Sequence, residues 1–157
     1  MPPITAILHT QNDALRIARA IESLRPCDEV LVIDHGSTDE TREVAGRFGA
    51  RVLQARSESF DTQQFLAEAR YEWILCLHPT ESVQEGLEAS LLEWKLAAHP
   101  AQTVFGVSLL EETSTGWTPP RVETRLVHRT NTQWNGWRPL PEAAVLLDGS
   151  LSRMRLP

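Results

Sequence analysis

The side chains best suited to chemistry in this sequence follow three short apolar runs. His9 and Thr10 follow ITAIL, Asp34 and His35 follow EVLVI, and HPTE at residues 78–81 follows WILCL. Imidazole, carboxylate and hydroxyl groups can bind cations, transfer protons and contact polar ligands. If the three runs are neighbouring parallel strands, these groups meet at the edge where such sheets bind ligands.

The elements that would position these residues alternate between strands and helices. Apolar runs predict strands at 4–8, 29–33, 51–55 and 73–77. Apolar residues at helical spacing predict helices after Asn12, after Ser37 and around 62–70, and Ser37 with Glu40 has the spacing of a capping box. This order predicts an α/β fold with a mostly parallel sheet and helices on both faces. Right-handed crossovers then place the carboxyl ends of these strands at one edge.

The second half of the chain has a different pattern. A helix is predicted at 82–98, capped by Ser82 with Glu85. Runs at 103–110 and 122–129 predict a small antiparallel strand pair in the C-terminal part of the chain. The stretch from 134 to the end, rich in proline and tryptophan, allows no assignment.

Composition and charge exclude several classes of protein. The chain is 41% hydrophobic and 23% charged, with a net charge of -6, which disfavours nonspecific nucleic-acid binding. No apolar run approaches the ~20 residues of a transmembrane helix, and the N-terminus has no signal-peptide pattern. The spacing of Cys27 and Cys76 matches no metal-binding motif, and we expect both to be reduced, packed thiols. We therefore expect a cytoplasmic protein.

Several of these segments together resemble a known family. ITAILHTQND, DEVLVIDHGSTDET, GARV and EWILCLHPTE resemble family 2 glycosyltransferases of the GT-A fold, in the nucleotide-diphospho-sugar transferase superfamily. Their patterns are P-T-x-N, D-x-G-S-x-D-x-T and W-I-L-x-L-D-A-D-E at the ends of three strands. VETRLVHRTNTQWNG resembles a later segment of the family, so the resemblance spans roughly residues 4–138. It implies a GT-A (Rossmann-like) fold in one domain, with a nucleotide-binding half at about 1–81 and an acceptor-side half at about 82–157.

The resemblance also implies a function and a set of site residues. In the family, the first two strand ends hold the nucleotide of a nucleotide-sugar donor, which here implies nucleotide binding by Thr10, Asn12 and Asp34. The backbone amides at Ser37 can face a phosphate. Asp34 has a second interpretation, as a residue that organises the turn before Gly36. The family's D-x-D motif binds Mg²⁺ or Mn²⁺, which grips the donor diphosphate while an acceptor hydroxyl attacks with the help of a carboxylate base.

The chain departs from the family at the metal motif. D-A-D is replaced by His78, Pro79 and Thr80, while the following Glu81 remains. Magnesium and manganese prefer oxygen ligands, especially carboxylates, so we expect this segment to hold them poorly. Glu81 is either a remnant of the old metal site or a helix-start charge, and we favour the latter. Of the family's later His-Glu pair only Glu142 is left, which is either a catalytic base or a solvated carboxylate.

Histidine side chains raise the possibility of a different metal site. His9, His35 and His78 all follow predicted parallel strands, and three imidazoles can bind zinc. Their spacing matches no zinc signature, so we favour three unrelated loop residues.

Arginines and tryptophans in the second half have two interpretations each. Arg125 and Arg129 share a face of the predicted strand and are candidates for phosphate contacts, although a solvated strand edge is the alternative we favour. Trp134 and Trp137 either stack on a sugar ring or belong to the core.

Three functions remain open from the sequence. In the first, the domain transfers a sugar from a nucleotide-diphosphate donor to an unknown acceptor with reduced or no metal dependence. In the second, it is a degenerate homologue that binds a nucleotide, a glycan, a protein partner or a second copy of itself without turnover. In the third, it is another nucleotide-binding α/β module.

Overall fold

The computed structural model describes residues 1–56, 58–97, 102–143 and 145–155. In chain order the elements are β1 (Ile4–Thr10), α1 (Ile17–Glu22), β2 (Glu29–Asp34), α2 (Thr41–Arg47), β3 (Arg51–Gln54), a 3-10 helix (Thr62–Glu68), β4 (Trp73–Cys76), β5 (Glu81–Val83), α3 (Glu85–Ala97), β6 (Val104–Thr113), β7 (Gly116–Trp117), β8 (Arg121–His128), a short 3-10 turn (Arg129–Asn131), β9 (Trp134–Asn135), β10 (Arg138–Pro139) and β11 (Val145–Arg153). The predicted alternation of the first half is confirmed, except that the helix before β4 is a 3-10 helix.

One large sheet organises the molecule. Its strand order is β3-β2-β1-β4-β8-β6-β11-β5, with β7 paired to β6, while β9 and β10 form a separate antiparallel pair. The first four strands are parallel, and β8 is antiparallel to both β4 and β6, as predicted for β6 and β8. Because β11 is parallel to β6, both run in the direction of β1. Six strands therefore end at one side of the sheet, which we call the carboxyl edge.

The two faces of the sheet pack against different layers. Side chains alternate along β1, so that Leu8 joins a cluster with residues of α1 and α3, whereas Ile7 joins a second cluster. The second cluster packs against Phe65 of the 3-10 helix and against Trp134 and Trp137. All seven residues of β1 are buried, as expected for a central strand covered on both faces. Among the described residues, no helix has the length and apolar composition needed to cross a bilayer.

Both predicted capping boxes are wrong. The Ser37 hydroxyl donates to Asp34, and α2 begins only at Thr41. Ser82 lies in β5, which pairs with β11 through Leu151 opposite Val83, so α3 begins at Glu85. A capping motif is a local signal, and here tertiary strand pairing and turn hydrogen bonds override it.

The tail that the sequence left unassigned forms β9, β10 and β11. The pairing of β11 with β6 shifts register between Leu146 and Ser150, and Gly149 in this bulge has a φ of 91°. A Cβ atom at Gly149 would lie 2.1 Å from the backbone nitrogen of Leu87. Only glycine therefore allows β11 to lie against the start of α3.

Candidate functional site

The three polar segments meet at the carboxyl edge, as the sequence predicted. Thr10 lies opposite Asp34 at the ends of β1 and β2. On the other side of β1, the backbone nitrogen of Leu77 donates to the carbonyl of Ile7, which brings His78 to the same edge.

Thr10, Asn12, Asp34 and Ser37, which the resemblance implied as nucleotide-binding residues, belong to one hydrogen-bonded cluster. The buried Asp34 carboxylate accepts from the Ser37 nitrogen at 3.0 Å and from its hydroxyl at 2.5 Å. The Ser37 oxygen in turn accepts from the Asn12 nitrogen at 2.9 Å. Thr10 donates to Asp13 at 2.6 Å. Asp34 thus organises the turn, as its second interpretation held, while nucleotide binding by the cluster stays a prediction.

Asn12 links the loops that follow β1 and β2. It has a φ of 57°, a left-handed conformation that asparagine tolerates better than most residues. Its side-chain oxygen accepts from the Thr38 nitrogen at 2.9 Å. The amide that was expected to face a phosphate next to Ser37 is therefore used within the protein.

His9 and His35 form a buried pair that the sequence did not predict. His9 Nδ1 lies 2.8 Å from His35 Nε2, and His9 Nε2 lies 3.0 Å from the Thr62 hydroxyl. Phe60 stacks on His35 with ring centroids 4.0 Å apart. Burial, and to a smaller extent the charge of His35, lower the pKa of His9 to about 3. His9 is therefore neutral at physiological pH.

The proposed zinc site of three histidines is not supported by this geometry. His78 Nδ1 is bonded instead to the Thr80 hydroxyl at 2.7 Å. Within the described part of the chain, no group of three His, Cys, Asp or Glu side chains is placed to hold a metal ion. The favoured alternative also needs correction, because His9 and His35 are hydrogen-bonded rather than unrelated.

Glu81 is completely buried and forms an ion pair with Arg125. Its two carboxylate oxygens lie 2.6 and 2.7 Å from two guanidinium nitrogens of Arg125, and the His78 nitrogen donates to Oε1 at 2.8 Å. Burial by itself raises the pKa of Glu81, but the hydrogen bonds and charge of Arg125 outweigh it, so the pKa is lowered. The favoured interpretation of Glu81 as a helix-start charge is wrong, because this residue pairs in β5.

Arg125 is also completely buried, which contradicts a solvated strand edge and leaves it no surface for a phosphate. Besides Glu81 it bonds Glu123 at 2.8 Å and the carbonyl of Cys76 at 3.2 Å. Its guanidinium lies 4.8 Å from the centre of the Trp137 ring. Trp137 therefore packs against Arg125.

Arg129 lies at the opposite end of β8 from the carboxyl edge. It follows His128, which pairs with Trp73 at the start of β4, and it bonds Glu72 at 3.0 Å and the carbonyl of Leu66 at 2.7 Å. Arg125 and Arg129 therefore do not form one phosphate site. Trp134 packs in the second cluster.

Glu142 is exposed and lies between β10 and β11, next to Pro141, whose carbonyl accepts from Thr124 at 2.7 Å. Within residues 1–56, 58–97, 102–143 and 145–155, no contact prepares Glu142 as a base, so this role stays a prediction.

Two adjoining cavities at the carboxyl edge were not predicted. The first, about 230 Å³, is lined by Arg16, Thr80, Glu112, Arg153, Met154 and Arg155. The second, about 370 Å³, is lined by Gln84, Leu110, Trp117, Ser150, Ser152 and Met154. The sequence carried one signal, the two arginines in SLSRMRLP, but without β11 there was no reason to place them at this edge.

Sequence comparison links the chain to glycosyltransferases. No protein-family model matches it. It is 37% identical over 91 residues to an uncharacterized glycosyltransferase of Rickettsia felis, a match that covers 56% of this chain and 32% of that protein. A glycosyltransferase of Rickettsia prowazekii is 34% identical over 91 residues, covering 56% of this chain and 31% of that protein. The chain thus spans about a third of the length of these relatives.

Solved structures agree on the fold. Glucosyl-3-phosphoglycerate synthase from Mycobacterium tuberculosis, solved with Mn²⁺, UDP and glucosyl-3-phosphoglycerate, is 21% identical with a TM-score of 0.56, over 69% of this chain and 44% of that one. S. aureus TarS 1–349 is 20% identical with a TM-score of 0.60, over 76% of this chain and 38% of that one. The chain has the GT-A fold and is similar in sequence to proteins named glycosyltransferases. In this glycosyltransferase-like domain, the carboxyl edge contains the residues that the resemblance pointed to.

Proposed function

We propose that this glycosyltransferase-like domain binds a nucleotide-diphosphate sugar at the carboxyl edge and transfers the sugar to an acceptor hydroxyl without a divalent cation. The relatives named glycosyltransferases and the GT-A fold support the reaction class. The observation that supports independence of metal is the burial of Glu81 against Arg125, because it removes the remaining carboxylate of the motif from any ligand.

The residues present do not fit a magnesium or manganese ion. Such ions need several oxygen ligands, and carboxylates supply most of the binding energy. His78 and Thr80 bond each other, and both oxygens of Glu81 are used by Arg125. The negative charge that develops on a leaving diphosphate must then be offset by fixed donors and cationic side chains.

The loops after β1 and β2 would hold the nucleoside. Asp34 is buried and fixed by Ser37, so its carboxylate would act by holding the turn after β2 in one conformation. Asn12 is exposed at the rim of this cluster and can contact a ribose or base.

A second function, binding without turnover, is favoured by a different observation. Phe60 stacks on His35 at the ends of β1 and β2, and His35 is only 4% exposed. The rings of Phe60 and His35 reduce the space in which a nucleobase would bind. This packing, together with an exposed Glu142 that lacks contacts suited to a catalytic base, is expected of a degenerate homologue.

Calorimetry with UDP, GDP and TDP, with EDTA and then with Mn²⁺, tests the proposal. We expect one nucleotide to bind in EDTA, and Asp34→Asn to weaken binding about tenfold because the turn at Ser37 loses its charged acceptor. Asp28→Asn is the matched control, since Asp28 forms an ion pair with Lys95 at the other edge of the sheet.

Turnover is measured as release of the nucleoside diphosphate from its sugar derivative. Release in EDTA supports the transferase. Binding without release from any donor favours the degenerate module. Binding only with Mn²⁺ would overturn the proposed independence of a divalent cation. No binding of any nucleotide would overturn the proposal as a whole.

A further inference from the structure

We propose that the cavity of about 230 Å³ lined by Arg16, Thr80, Arg153 and Arg155 is the diphosphate subsite, with guanidinium groups in place of a divalent cation. The inference rests on the proposed function, because it assigns the anionic part of the same donor. We call this cavity the arginine cavity.

The arginine cavity lies next to the segment that replaced the metal motif. Arg153 is opposite Glu81 in the pairing of β11 with β5, and Thr80 directly precedes Glu81. Arg16 comes from the loop between β1 and α1. Two separate parts of the chain, the loop before α1 and the end of β11, thus bring basic side chains beside the segment that replaced the metal motif.

Arg153 has hydrogen-bonding capacity that the protein does not use fully. Its contacts with Glu81 and Glu111 are long, at 3.4 and 3.5 Å, whereas Arg125 reaches Glu81 at 2.6 Å. Its Nε is buried and has no acceptor within the described ranges. A buried donor without an acceptor is costly, and a bound anion would supply one.

Arg16 and Arg155 are also available to a ligand. Arg16 Nε lies 3.9 Å from Asp13, which is beyond hydrogen-bonding distance. Arg155 is exposed, and its backbone nitrogen, at 3.0 Å from Glu112 Oε1, makes the contact that positions it. Glu112 is held at the cavity wall by that bond. A carboxylate there lowers the affinity for phosphate but leaves three guanidinium groups facing one lining carboxylate.

Size and chemistry both fit a diphosphate. Enclosing a drug-sized ligand takes about 300 Å³ or more, so a cavity of about 230 Å³ suits a phosphate group rather than a whole nucleotide sugar. Planar guanidinium groups bind phosphate oxygens in pairs. The second cavity shares Met154 with the first and gives the sugar a neighbouring space.

Calorimetry in EDTA with pyrophosphate and with the nucleoside diphosphate that binds best tests this subsite. We expect Arg155→Gln and Arg16→Gln each to weaken both ligands about tenfold. Arg70→Gln is the matched control, because it removes the same charge from an exposed residue whose ion pair is with Glu29 at the other edge. Thermal unfolding of each variant checks that the fold is retained.

The outcomes separate this inference from the proposed function. Weaker binding of both ligands in the two cavity variants, with Arg70→Gln unchanged, supports the subsite. Nucleotide binding that neither variant affects overturns the subsite and leaves the proposed function standing. Pyrophosphate binding that depends on the arginines, without any gain from the nucleoside, supports an anion site and counts against the proposed function. Equal loss in Arg70→Gln indicates a nonspecific charge effect and overturns the subsite.

Discussion

Breaking the buried pair of Glu81 and Arg125 should destabilise the domain more than breaking any exposed pair. Both side chains are fully buried, so Glu81→Gln leaves the Arg125 charge in a site without solvent. Removing one partner of a buried pair typically costs about 3–5 kcal/mol. Arg125 keeps Glu123 at 2.8 Å, which places the expected loss near the lower end, at about 3 kcal/mol.

Urea and thermal unfolding measure this loss. For a chain of this length about 3 kcal/mol corresponds to a fall in Tm of roughly 6–12 °C. Glu72→Gln is the control, because Glu72 and Arg129 form an ion pair whose side chains are 50% and 25% exposed. Loss of this exposed ion pair should lower the free energy of unfolding by less than about 1 kcal/mol.

A double variant and a pH series test the pair of Glu81 and Arg125 further. Glu81→Gln with Arg125→Met should cost about 2 kcal/mol less than the sum of the single changes, since the double variant keeps neither charge of this pair buried without the other. The pKa of Glu81 is lowered in the folded state, so its stabilisation is present above the ordinary value of 4.5 and is lost as pH falls below it. A cost below about 1 kcal/mol for Glu81→Gln, or additive costs in the double variant, would refute the buried pair.

Three further outcomes are expected. The pKa of His9 is about 3 in the folded protein and ordinarily 6.5, so the free energy of unfolding should fall by up to about 1.4 kcal/mol per pH unit below 6.5. His9→Gln should flatten this pH dependence when unfolding is measured in urea, and an unchanged slope would contradict the prediction. Gly149→Ala should lower the free energy of unfolding by about 3 kcal/mol or more, because the new Cβ meets the backbone of α3. Gly49→Ala, at a φ of 92° with open space around it, should lower it by about 1 kcal/mol in thermal unfolding, and equal losses would contradict the close approach. Burial raises the pKa of Cys27 and Cys76 to about 12, so neither thiol should react with Ellman's reagent at pH 8 until urea is added; a fast thiol in the folded protein would be inconsistent with that.

Much of the nucleotide-binding half could be predicted from the sequence, because its signals are local. β1, β2 and β4 are short apolar runs buried on both faces, and the polar residue after each run marks its carboxyl end. Once these strands are known to be parallel neighbours, the meeting of Thr10 with Asp34 follows from topology alone. The type and order of the elements are therefore enough to place these strand ends together.

Tertiary structure decided the environment of Glu81 and the arginine cavity. Glu81 is 44 positions from Arg125 in the chain, and no periodic pattern encodes an ion pair between them. The pairing of β5 with β11 buries Glu81 and brings Arg153 beside it, against a local capping signal that favoured a helix start. Hydrophobic period and turn chemistry act over a few residues, whereas burial of a charge depends on the packing of strands far apart in sequence. For that reason the sequence determined at which edge of the sheet the polar side chains gather, and only the folded chain decided which charges are available there.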